Sequence, residues 1–114
     1  MSFMGDLQMK KCKPCQAGTA PMPHEQAQGT IASLPGWGLS TDGKMIHKTY
    51  WMKGFSEAAM LIQKIAEVAD EEDHHPDIHL TGYRKLLIEL STHAIKGLSE
   101  NDFILAAKIE ALPK

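Results

Sequence analysis

Two stretches of alternating hydrophobicity restrict this chain more than any other feature. In residues 85–92, Leu86, Ile88 and Leu90 alternate with Lys85, Glu89 and Ser91. A period of two describes a strand with one buried and one wet face. Residues 45–52 repeat the pattern less cleanly: Ile46, Tyr50 and Met52 share one parity and Lys48 interrupts it. Thr41-Asp42-Gly43-Lys44 precedes that stretch. Asp-Gly suits the positive φ of a tight turn, so residues 37–40 are expected to pair back as a hairpin. A strand within residues 77–83 should form a second hairpin with 85–92, with Tyr83 as a packing residue.

Between the hairpins, Phe55, Ala58, Ala59, Ile62, Ile65, Ala66 and Ala69 fall on a helical stripe, which predicts a helix over 57–69. Ser56 is its expected N-cap, with Phe55 and Met60 as a hydrophobic staple. The run Asp70-Glu71-Glu72-Asp73 should end it, because a helix C-terminus disfavours anions, and Pro76 prevents continuation. Helices are also expected over 24–33, broken by Pro35-Gly36, and over 100–112, capped by Ser99. The order α-β-β-α-β-β-α predicts an α+β domain, a four-stranded antiparallel sheet from two hairpins with three helices on one face.

Residues 1–23 carry Cys12, Pro14, Cys15, Gly18, Pro21 and Pro23 and no apolar period. They are read as an irregular N-terminal arm, and residues 24–114 as the single domain. Removal of residues 1–20 is expected to leave the fold and turnover largely intact. Two cysteines are too few for a disulfide scaffold. Cys12-Lys13-Pro14-Cys15 is read as reduced thiols, with a shared metal or a reversible disulfide as the alternatives. A net charge of -2 argues against a general nucleic-acid binder. No apolar run reaches the ~20 residues of a membrane helix, and the first residues lack a signal-peptide core. A cytoplasmic protein is expected, with an organelle or the nucleus left open.

Four of the six histidines lie between positions 74 and 93. His74-His75-Pro76 occupies a helix-to-strand loop, and His93 continues the polar parity of the last strand. Imidazole suits proton transfer near neutral pH. Convergence of these groups on the polar side of the sheet would make a proton-transfer site. A metal set from His74, His75, His79, His93 and Asp77 is the rival, but it lacks the usual ligand spacings of zinc sites.

The spacing as a whole resembles the pterin-4a-carbinolamine dehydratases. Asp70 is followed after three residues by His74-His75-Pro76, after six more by Tyr83, after nine more by His93 and after eight more by Asp102. Asp73-His74-His75-Pro76, Leu90-Ser91-Thr92-His93, Gly97-Leu98-Ser99-Glu100 and Pro35-Gly36-Trp37 also look like that family. Lys48, Tyr50 and Met52 stand where the family usually has Arg and two Phe. The resemblance implies a hydro-lyase that converts 4a-hydroxytetrahydrobiopterin to quinonoid dihydrobiopterin and water, in tetrahydrobiopterin recycling. It implies catalytic His74, His75 and His93, with no metal or redox cofactor. It places Asp73, Pro76, Ser91, Thr92, Asp70 and Trp37 at the substrate beside them, and suggests a homo-oligomer. Asp102, three residues after the Ser99 N-cap, is read chiefly as structural, a carboxylate favoured there by the helix dipole. Two rivals follow from the same family: a dimerisation cofactor for a transcription factor, and a relative acting on another pterin, such as one in molybdenum-cofactor metabolism.

Overall fold

The alternation of the last strand is realised as β4 (Lys85–Leu90), with Leu86, Ile88 and Leu90 wholly buried. The molecule is a computed structural model that describes residues 3–14 and 18–114. The other strands are β1 (Gly38–Leu39), β2 (Ile46–Trp51) and β3 (Asp77–Thr81). The sheet order is β1-β2-β4-β3, with every neighbouring pair antiparallel. The two hairpins therefore lie side by side, joined through β2 and β4. In the first hairpin Gly43 has φ 70°, the conformation expected of the Asp-Gly turn.

Register puts Ile46, Lys48 and Tyr50 opposite Leu90, Ile88 and Leu86 on one face. That face shares a core with Ala27 of α2 (His24–Ile31), Ala58, Leu61 and Ile65 of α3 (Phe55–Glu72) and Phe103 of α4 (Glu100–Glu110). The expected α+β class is the observed one. Lys48, the break in the β2 pattern, has a tertiary cause. Its ammonium binds the Glu110 carboxylate of α4 and donates to the Pro35 carbonyl at 2.8 Å. The same Glu110 oxygen accepts from the Tyr50 hydroxyl and, at 3.0 Å, from the Trp37 indole. Burial would raise the Glu110 carboxyl, but the bonds from Lys48 and Tyr50 outweigh it and hold it below the usual range. One carboxylate thus ties the C-terminal helix to the sheet and to the segment before β1.

Several boundaries depart from expectation. α3 begins at Phe55 after Gly54, not after a Ser56 cap, and both Phe55 and Met60 are exposed. Its buried stripe is Ala58, Leu61, Ile65, Ala69 and Glu72, rotated from the predicted one. It also runs on through the acidic residues to Glu72. Asp73 then stops it in the left-handed conformation, φ 51°, with its N–H returned to the Ala69 and Asp70 carbonyls. The arm is not wholly irregular. It carries α1 (Phe3–Met9), which packs on α4 with Leu7 at 2% exposure. Cys15 lies outside the described residues, so the expected Cys12/Cys15 arrangement does too. Among the described residues, no helix is long and apolar enough to cross a membrane.

Candidate active site

Three chain segments meet at the C-terminal end of α3. The helix stop at Asp73 aims the following His74-His75-Pro76 loop across the end of α4. β4 ends at Leu90, and Thr92 then bridges back to Gly97, around a 3-10 turn over His93–Ile95. His93 is therefore placed by a turn, not by an extension of the strand as the sequence parity suggested. Together these segments line one cavity of about 610 Å³, with Asp73, His74, His75, Ser91, Thr92 and His93 in its wall. That size lies in the ordinary range for small-molecule pockets. A smaller cavity of about 160 Å³ adjoins it and shares Ser91 and His93.

The three histidines are held differently. His74 is half-buried, and its Nε2 lies 2.6 Å from Oδ1 of Asp102, a carboxylate with no exposure. The other Asp102 oxygen accepts from the Thr92 hydroxyl at 2.8 Å and from the Ser99 backbone N–H at 3.0 Å. With the proton on Nε2 the ring donates to this carboxylate, and Nδ1 is then without a hydrogen bond among the described residues. The Ser99 contact closes a capping box at the start of α4. Asp102 therefore caps a helix with one oxygen and orients an imidazole with the other. His75 is exposed, and its Nε2 lies 3.0 Å from Asp70 Oδ1. His93 is exposed; its backbone carbonyl accepts from the Lys96 N–H at 3.2 Å, and its imidazole makes no hydrogen bond among the described residues.

Six of the nine residues expected at the substrate line the main cavity. The other three do not. Trp37 belongs to the core through Glu110, because its indole N–H needs a buried acceptor there. Asp70 reaches His75 rather than the cavity, and Pro76 is not part of the cavity wall. His79, on β3, pairs with Glu89 of β4 at 2.7 Å and does not line the cavity of the other three histidines. The cavity wall also contains Cys12, Lys13, Pro14, Glu72 and Asn101, which the sequence reading did not place there. One signal was available: Glu72 continues the Ala58-Leu61-Ile65-Ala69 stripe and so falls on the buried side of α3.

Known proteins resemble this chain in sequence and in fold. The model of the family Pterin 4 alpha carbinolamine dehydratase matches residues 20–112. A Halorhodospira halophila protein named for the same activity is 48% identical over 103 residues, 90% of this chain and 94% of that one. Pterin-4-alpha-carbinolamine dehydratase 2, mitochondrial, of Arabidopsis thaliana is 43% identical over 96% of this chain, which spans 60% of the plant protein. The crystal structure of a transcriptional coactivator/pterin dehydratase from Brucella melitensis superposes with a TM-score of 0.74 at 26% identity. That match covers 80% of this chain and 96% of the Brucella chain. On these matches, the chain belongs to the pterin-4a-carbinolamine dehydratase family.

Proposed function

We propose that this protein dehydrates 4a-hydroxytetrahydrobiopterin by histidine acid–base catalysis. The observation that carries the reading is the convergence of His74, His75 and His93 on one cavity, with a buried carboxylate behind the first. In the reaction the C4a–O bond breaks and a proton joins the departing oxygen to make water. The N5 proton is lost, and the N5–H electron pair closes the N5=C4a double bond. One proton is given and one is taken, so the sum needs no redox partner. Each positioned acid or base typically contributes ~10²–10⁴-fold. His74, fixed by Asp102, and His93 are assigned as the proton-transfer pair. His75, turned by Asp70, orients the pterin, and Asp73, Ser91 and Thr92 complete the substrate surface.

Purified protein is expected to accelerate the loss of enzymatically generated 4a-hydroxytetrahydrobiopterin, followed by ultraviolet absorbance, and to be indifferent to chelator. A rate equal to that of buffer would remove the enzyme reading and favour a binding module.

The same reading includes a homo-oligomer. β3 is an edge strand, paired only with β4 among the described residues, and exposed edges invite pairing with another chain. Light scattering at micromolar concentration is expected to give a multiple of 12.6 kDa. A stable monomer would reject this part.

A further inference from the structure

The arm reaches the site. Cys12, Lys13 and Pro14 form part of the wall of the cavity that holds the three histidines. Successive residues of the segment are fastened to the ends of α3 and α4. Lys10 Nζ reaches Glu100 at 2.8 Å. The Cys12 N–H donates to Glu72 Oε1 at 2.8 Å. The Lys13 N–H donates to Asn101 Oδ1 at 2.9 Å, and Asn101 Nδ2 donates back to the Lys13 carbonyl. Upstream, Leu7 is buried and Lys108 Nζ donates to the Gln8 carbonyl at 2.9 Å.

Glu72 shows what this fastening is for. Its side chain is 1% exposed, at a helix C-terminus, where the dipole disfavours an anion. A buried charge is costly unless it is paired and hydrogen-bonded. Its partners are the Cys12 amide and Lys11 of the arm, with Lys108 at 3.8 Å. Without the arm this carboxylate would keep only that last, long contact among them. The family match begins at residue 20, so the segment lies outside the part of the chain that matches the family model.

We propose that residues 11–14 are a built-in wall of the pterin cavity, held by Glu72 and Asn101, and that this wall sets how tightly the site retains its ligand. The proposal rests on the dehydratase reading and adds to it a positioning role for Glu72 and Asn101. The wall covers ligand surface and keeps water out, and its Cys12 thiol takes no part in proton transfer. Burial, and then the nearby Glu72 carboxylate, push the Cys12 thiol up to about 12, so it stays protonated at neutral pH. Loss of the wall should therefore raise Kd and KM and spare kcat.

The test compares wild type with Asn101→Ala and with a chain lacking residues 1–14. Three quantities are measured: Kd for a non-reactive dihydropterin by fluorescence, KM and kcat for the carbinolamine, and amide hydrogen exchange. Both variants are expected to raise Kd and KM about tenfold, or about 1.4 kcal/mol, with kcat within about threefold of wild type. In Asn101→Ala the Cys12 and Lys13 amides should exchange faster while those of β4 keep their rates. Faster exchange at Cys12 and Lys13 with unchanged Kd and KM would show that the segment is fastened but is no wall. Asn101→Ala at wild-type values in every measure would also overturn the proposal, and this variant decides if the truncated chain does not fold. A fall in kcat matching the rise in KM would do the same, by moving the role to chemistry or folding. Wild type that neither binds nor turns over would remove the dehydratase reading and the proposal together, whereas variants equal to an active wild type remove the proposal alone.

Discussion

Replacing His93 by alanine is expected to slow carbinolamine dehydration about 10²-fold or more, within the usual contribution of a positioned acid or base. Stability should move by less than about 1 kcal/mol, because the His93 imidazole is exposed and makes no hydrogen bond among the described residues, while the backbone bond from Lys96 survives the substitution. Ile88→Ala supplies the opposite control. Ile88 is fully buried at the centre of the sheet, between Lys48 and Ile78, so its truncation should cost about 2–5 kcal/mol. The surviving folded molecules should keep their turnover. Urea midpoints and kcat measured on the same preparations separate the two effects. If His93→Ala unfolds as readily as Ile88→Ala and its folded fraction turns over normally, His93 is a packing residue and the proton-transfer pair is wrongly assigned.

The parts of the fold that were legible are those whose cause is local. β4 reads cleanly because one face is buried along its whole length, so every second residue obeys. Ser99 reads as an N-cap because its partner is three residues away. What failed had a distant cause. Lys48 looks like an error in a strand until Glu110, on another helix, is brought beside it. Four acids look like the end of a helix until Lys11 and the Cys12 amide arrive to take up Glu72. Phe55 and Met60 have staple spacing, but the chain enters α3 through Gly54 with both side chains outward. α1 escaped notice because seven residues are too few to establish a helical period, though Leu7 is buried.

The grouping of the three histidines is legible in their spacing, and the groups that hold them are not. His74, His75 and His93 were placed by the intervals between them, and the cavity contains all three. The route to His93 was misread, since strand parity does not survive the turn after Leu90. Trp37 lies in a family-like word, which offers it to the substrate, but a core tryptophan is the commoner case, and its indole N–H serves Glu110 in the core. Asp102 was read as structural because its place three residues after the Ser99 N-cap is a sequence signal. Its contact with His74, 28 residues earlier in the chain, is tertiary and leaves no such mark.

Asp102 therefore offers the sharpest separation of scaffold from chemistry. In Asp102→Ala, the Thr92 hydroxyl, the Ser99 amide and the His74 ring N–H all lose their acceptor. A buried donor left unpaired costs about 1–3 kcal/mol, so this variant should lose about 2–4 kcal/mol of stability along with its turnover. Asp102→Asn preserves volume and can still accept, through its carbonyl oxygen, from Ser99 and Thr92. Its amide nitrogen then faces His74 Nε2 and can only donate. The imidazole proton must move to Nδ1, which closes the nitrogen that Asp102 leaves for proton exchange. The expected result is a loss of stability less than half that of the alanine variant, with turnover still down by about 10²-fold or more. Calorimetry and kcat on the pair decide the matter. An asparagine variant with wild-type turnover would leave Asp102 as a helix cap and nothing more, and the orientation of His74 would have to come from elsewhere in the loop.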